Sequence, residues 1–330
     1  LPAVDGYPVP ANLFFVAQDT NGVNQVWQLF RDSSPPVPLT DAPDDVTGYS
    51  IAPDGFGVAY GSGSQVWYQR LNDGSEPVVL AGRNTDQAVS MDFSPDGATL
   101  AYTDNDGIYT VPTQGGDPTA LLTNVIGGAG SDGDTRRFSH PRYAPNLGVM
   151  LLDVTYADTT ATGILDLNSG ELRELAYGFQ NATWMYNGQV LTFAPDTPFT
   201  QAGVQVTDIN NLNDPEQRLS PDVSVEQAVL IPRRRWEDIR LLLAPDTLSG
   251  PTPLRVFDFR DGGGLVPVLE AGFADQPRLS PDGSVIAGYV RSGKDDLGYR
   301  VGVLTLIEVA SGEQVALAQP RELSQIRWQR

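Results

Sequence analysis

Imidazole and thiol, the side chains that most often serve nucleophilic and transition-metal chemistry, are nearly missing from this chain. His140 is its single imidazole and cysteine is absent, which removes thiolate metal sites, a Cys nucleophile and any disulfide framework. A Ser-His-Asp triad would have to be built on His140. No Gly-x-Ser-x-Gly elbow accompanies it, because Gly61-Ser62-Gly63-Ser64-Gln65 and Gly128-Ala129-Gly130-Ser131-Asp132 both miss the spacing. Within Phe138-Ser139-His140-Pro141-Arg142, His140 reads as structural or solvent-exposed. A cage of several histidines around a metal is ruled out. The sequence assigns no catalytic residue.

Oxygen-rich segments offer a second chemistry. Asp104-Asn105-Asp106-Gly107 alternates oxygen ligands before a glycine, but a calcium loop of the EF-hand type needs more ligands and a Glu at its twelfth position. The same residues suit a tight hairpin between Leu100–Thr103 and Ile108–Val111. The turn is therefore the preferred reading. Calcium held by Asp104 and Asp106 stands as the alternative, and no other cofactor is expected. Asp132-Gly133-Asp134 reads as plain loop in the same way.

These residues must be positioned by something, and the chain repeats itself. Tyr49-Ser50-Ile51-Ala52-Pro53-Asp54-Gly55, Met91-Asp92-Phe93-Ser94-Pro95-Asp96-Gly97 and Pro277-Arg278-Leu279-Ser280-Pro281-Asp282-Gly283 are copies of one unit. Indexed on the hydrophobic residue two places before the turn's proline, or its equivalent where the turn departs from the motif, the series is Ile51, Phe93, Tyr143, Trp184, Leu230, Leu279 and Trp328. A period of roughly 40–50 residues marks a repeat architecture. Each copy continues through a turn into three further strands, for example Gly57–Tyr60, Gln65–Leu71 and Pro77–Leu80, and four strands with turn punctuation make one propeller blade. Asn12–Gln18, Gln25–Arg31 and Val37–Thr40 lack a first strand, whereas Ser324–Arg330 is a first strand without followers. Joined, they give one composite blade that closes a ring. The expected fold is an all-β, seven-bladed β-propeller, with six or eight blades as alternatives, forming one domain over 12–330 behind an extended lead-in over 1–11.

The register also collects charge. One place before the indexed residue stand Ser50, Asp92, Arg142, Thr183, Val229, Arg278 and Arg327, all on the innermost strands. Arg142, Arg278 and Arg327 could together receive a carboxylate or a partner's acidic tail. The competing reading is pairing between blades, above all Asp92 with Arg142, since a buried guanidinium without a partner is too costly. Arg233-Arg234-Arg235-Trp236 replaces one turn with residue types enriched at interface hot spots, balanced by Glu237 and Asp238. The long segment Asn124–Ser139 suggests a lip offering Arg136 and Arg137 to a partner, or a disordered link.

Composition bounds the partners. With 21 Lys+Arg against 41 Asp+Glu the formal net charge is −20, which disfavours nucleic acid and anionic lipid. No apolar run is long enough to span a membrane. The chain opens Leu1-Pro2-Ala3-Val4-Asp5 rather than on Met, which suggests a removed signal or an N-terminal tether.

The Ser-Pro-Asp-Gly turn, with an aromatic or aliphatic residue two before the proline, resembles the TolB-like (WD40-like, PD40) propeller repeats. The resemblance runs from Asn12 to Arg330, strongest at 49–60, 91–103 and 277–290. It implies a bacterial, often extracytoplasmic, protein-binding propeller. Similar propellers precede the catalytic domain of prolyl-oligopeptidase-type peptidases, but the repeat occupies this sequence from Asn12 to Arg330 and no hydrolase domain is expected within it. The expected role is a non-enzymatic module docking a protein or peptide. The alternatives are an enzyme or a small-ligand or calcium binder at the channel mouth, and a structural subunit of an extracellular assembly.

Overall fold

The repeated turn is held by its own side chains. Ser94 Oγ donates to Asp96 Oδ1 (2.6 Å) and accepts the Thr99 N–H (2.9 Å), while Asp96 Oδ1 accepts the Ala98 N–H (3.0 Å). Gly97 N–H closes the turn on the Ser94 carbonyl at 2.8 Å, with Gly97 at φ 70°, where a side chain would be strained. Ser280 and Asp282 repeat the arrangement. Where Ala52 replaces the serine, Asp54 Oδ1 still accepts the Phe56 N–H at 2.8 Å. The Ser94 hydroxyl and the Ala98 N–H hold the Asp96 carboxyl below its ordinary range.

A computed structural model describes residues 9–32, 34–85, 87–127, 135–145, 148–157, 159–175, 180–185, 188–194, 203–219, 227–230, 239–243, 255–258, 264–267, 274–294, 300–317 and 324–329. The chain divides into two compact units, Leu1–Ala42 with Pro221–Arg330, and Pro43–Ser220.

In the first unit, β1 to β3 are Leu13–Gln18, Asn24–Leu29 and Val37–Pro38. The second unit holds four four-stranded blades. They are β4 to β7 (Val46–Ile51, Gly57–Ser62, Gln65–Arg70, Val78–Gly82), β8 to β11 (Met91–Phe93, Thr99–Asp104, Gly107–Pro112, Thr119–Thr123), β12 to β15 (Arg137–Tyr143, Val149–Thr155, Thr160–Asp166, Leu172–Glu174) and β16 to β19 (Gln180–Trp184, Gln189–Ala194, Gly203–Asp208, Asn211–Leu219). The first unit then continues with β20 to β23 (Gln227–Leu230, Ile239–Leu243, Arg255–Asp258, Gly264–Pro267), β24 to β27 (Ala274–Leu279, Val285–Lys294, Arg300–Glu308, Gln314–Ala316) and β28 (Ser324–Trp328). Among the described residues these strands form seven four-stranded antiparallel sheets and no helix.

The composite sheet has the order β28-β1-β2-β3, so the first and last strands of the chain share one blade. Leu13 pairs with Trp328 and Phe14 with Arg327, and Gln329 N–H reaches the Asn12 carbonyl at 2.8 Å. Sheets pack face to face through alternating residues. Leu13, Phe15 and Ala17 meet Val285, Ala287, Leu304 and Ile326 in the first unit. In the second, Val66, Tyr68 and Leu80 meet Phe93 and Tyr102, and Phe138, Met150 and Leu152 meet Ala101 and Ile108. Val149, Leu151 and Ile164 meet Trp184 and Val190.

Candidate functional site

β12 contains a bulge. Ser139 pairs with Asp153 and Arg142 with Leu151, so His140 and Pro141 together face Leu152. His140 takes φ 51°, unusual for a residue other than glycine. Gln325 takes φ 57° at the matching place in β28, and the same slip recurs in β16 and β24. The bulge is thus a property of the blade, and in β12 it carries an imidazole.

That imidazole is not isolated. His140 Nδ1 lies 3.1 Å from Asp153 Oδ2 and 3.1 Å from Ser139 Oγ, and its backbone N–H donates to Ser90 Oγ of the preceding blade at 2.9 Å. Arg142 Nη2 donates to the other Asp153 oxygen at 2.6 Å. The Asp153 side chain is 15% exposed, the His140 ring 62%. Burial pushes the Asp153 carboxyl up, but the hydrogen bond from His140 and the Arg142 charge outweigh it and hold the group below its ordinary value. Asp153 shares a strand face with Leu151 and Val149, so the cluster caps the apolar layer beneath it.

The charged register residues mostly build the scaffold. Arg142 forms its ion pair with Asp153, one strand away in its own blade, rather than the interblade pair expected with Asp92. Asp92 Oδ2 instead accepts the Tyr143 N–H at 2.8 Å across blades. Trp184 Nε1–H donates to the Arg142 carbonyl at 3.0 Å. In the other unit, Trp328 Nε1–H donates to the Arg278 carbonyl at 2.9 Å in the same manner. Arg278 Nη1 donates to the Pro277 carbonyl at 2.9 Å, and Arg327 sits half-buried on β28. Arg233, Arg234, Arg235 and Trp236 lie outside the described residues.

In the second unit, the links from a blade's fourth strand to the next blade's first strand emerge at the same end as the turns between second and third strands. This is the end opposite the Ser-Pro-Asp-Gly turns. The link between β11 and β12 there is a braced arm. Val125 and Arg136 exchange two backbone hydrogen bonds (2.9 and 2.8 Å), and Asn124 Oδ1 accepts the Phe138 N–H at 2.8 Å. Beyond this bridge Gly127 N–H reaches Thr135 Oγ1 at 3.2 Å, and residues 128–134 lie outside the described residues. Ile126 is 77% exposed and Val125 38%, with Arg136 and Arg137 alongside. The described part of the expected lip is therefore braced by hydrogen bonds at its base, and it displays apolar surface that the sequence reading did not emphasise.

Asp104 and Asp106 are at this end too. The Asp104 carboxylate accepts the backbone N–H groups of Asn84 and Asn105, and Asp106 Oδ2 accepts the Tyr109 hydroxyl at 2.9 Å. The Asn105 bond is local to the hairpin, whereas the Asn84 bond ties the hairpin to the β7–β8 link. Among the described residues, no three His, Asp or Glu side chains come close enough together to hold a metal ion. A polar depression of about 790 Å³ also opens here, walled by Asp44, Asp45 and Arg83 with the hydroxyls of Thr47, Ser64 and Thr85.

No protein-family model and no curated protein sequence matches the chain. Solved structures do. TolB from Acinetobacter baumannii matches with a TM-score of 0.53 at 14% identity, covering 99% of this chain and 88% of that one. The fold is that of a TolB-like propeller. An oligogalacturonate lyase in complex with manganese matches with a TM-score of 0.61 at 12% identity, over 95% of this chain and 85% of that one. The TolB-like fold thus carries an enzyme in one neighbour, and at these identities the likeness extends to architecture alone. No helix among the described residues is long and apolar enough to cross a membrane.

Asp153 escaped the sequence reading. Its signal was a single carboxylate inside the apolar run Val149-Met150-Leu151-Leu152-Asp153-Val154. A charge at a core-facing position demands a partner, and that demand points to Arg142 and His140.

Proposed function

We propose that this chain is a docking module for a protein or peptide, and that the partner seats on the end of the second unit that carries the β11–β12 arm. The carrying observation is Ile126, 77% exposed on an arm whose base is fixed by the paired backbone bonds of Val125 and Arg136. An exposed apolar side chain on a hydrogen-bonded base, flanked by arginines, is the kind of surface a partner desolvates at low entropic cost. The neighbouring register residues are engaged in holding strands together, which suits a rigid platform. Arg136 and Arg137 are the proposed polar contacts, and Arg278 and Arg327 secondary ones in their own unit. Consistent with the TolB-like resemblance, we place the module outside the cytoplasm.

The test is cross-linking capture from the native host, comparing the wild type with Ile126→Asp and with Arg136→Glu/Arg137→Glu. Both variants are expected to fold normally and to lose the captured partner. Undiminished capture by both removes the arm from the reading, and recovery of only a large homomeric assembly favours a structural subunit.

The fold shared with a lyase supports a second reading, a channel-mouth enzyme. A panel of lyase and hydrolase assays with added Mn²⁺ or Ca²⁺ addresses it. Metal-dependent turnover abolished by substituting Asp104 and Asp106 would replace the docking reading.

A further inference from the structure

We infer that His140 is the base of a proton-transfer site, oriented by Asp153 and acting on water or a hydroxyl beside a small ester. Three observations converge on it. The carboxylate at 3.1 Å from Nδ1 selects the tautomer with the proton on that nitrogen, leaving Nε2 as the acceptor. Asp153 is itself fixed by Arg142 at 2.6 Å and is mostly buried, so the ring is aimed by a rigid anchor. The ring is nevertheless 62% exposed, so water and small solutes reach Nε2.

The hydroxyls nearby define the chemistry by their position. Ser139 Oγ lies at Nδ1 and Ser90 Oγ at the His140 backbone N–H, so neither stands where a triad nucleophile must. The dyad therefore acts without a serine. Nε2 takes a proton from water as the water oxygen bonds to the acyl carbon. The acyl–oxygen bond breaks, and the imidazolium returns its proton to the departing oxygen. Ester and water become acid and alcohol, with Asp153 stabilising the transient imidazolium. Among the described residues, the charged groups that contact this ring or its anchor are Asp153 from β13 and Arg142 from β12, and β8's blade contributes only the neutral Ser90 hydroxyl. The inference stands independently of partner docking.

Ethyl dichloroacetate is the probe, because imidazole cannot displace its alkoxide and acts on it as a base towards water, with 4-methylimidazole as the unoriented reference. General-base catalysis commonly yields about 10²- to 10⁴-fold. An exposed ring without an enclosing cavity belongs below that, so the expected rate constant per protein is about tenfold above the reference. His140→Gln is a conservative knock-out, because Gln325 already occupies the matching positive-φ position of β28. His140→Asn, also tolerant of that backbone, guards against misfolding of the first variant. Both are expected to lose the excess rate while still folding cooperatively, with a small fall in melting temperature from the lost contact to Asp153. Asp153→Asn should lose most of the excess rate and Asp153→Glu should keep part of it, because the orientation and tautomer of the ring depend on a carboxylate at that place. Rates no higher than the reference, or retained in both His140 variants, overturn the site. A full excess rate in Asp153→Asn overturns the positioning role.

Discussion

At the scale of single residues, the Asp153 cluster shows how a lone charge in a core strand organises its surroundings. Its carboxyl titrates below the ordinary 3.8, so its contribution to stability is complete above that value and is lost as pH falls through the folded value. Asp153→Asn should therefore lower stability at pH 7 by about 1–2 kcal/mol, less than for a fully buried pair because both partners retain some exposure. The same variant should unfold less steeply on acidification below pH 4 in denaturant titrations at stepped pH. Equal acid sensitivity in both proteins would show that other carboxylates, such as Asp96 and Asp54 in the turns, dominate. The sequence displayed the participants without their geometry. His140 and Asp153 are thirteen positions apart, and only the bulge brings Nδ1 to the carboxylate.

At the scale of elements, legibility followed how local the determinants are. The Ser-Pro-Asp-Gly turns were readable because every bond that shapes them lies within six residues. The start of β14 was not. It begins at Thr160, where the turn closed by the Tyr156 N–H on the Thr159 carbonyl follows Val149–Thr155 without a Gly or Pro to announce it. Contacts between blades left still less trace, since the Trp184 and Tyr143 bonds span 42 and 51 residues. One such approach gives a sharp prediction. A Cβ on Gly48 of β4 would lie 1.9 Å from the Val89 carbonyl oxygen, whereas one on Gly82 meets nothing within 4 Å. Gly48→Ala should cost about 2–3 kcal/mol by forcing the β7–β8 link away. Gly82→Ala should change stability by no more than about 0.5 kcal/mol in matched denaturant melts.

At the scale of the whole molecule, the repeat period and the incomplete ends predicted a blade assembled from both termini, and β28 pairs with β1 as that reading requires. Removing residues 324–330 strips β1 of its ladder partner and Ile326 from the core beside Phe15. A fall in melting temperature of about 5 °C or more should follow, together with proteolysis within 9–31. Unchanged melting would mean that the pairing contributes little. The net charge of −20 adds a bias towards partners whose contact surface is basic or neutral, with Arg136 and Arg137 as local exceptions at the arm. The most direct test of docking at that arm is a photoreactive side chain placed at position 126 in the native host, with position 169, at the opposite end of the same unit, as control. The account predicts one dominant protein adduct from position 126, lost when Arg136 and Arg137 become Glu, and none from position 169. Equal labelling from both positions, or none from either, would contradict it.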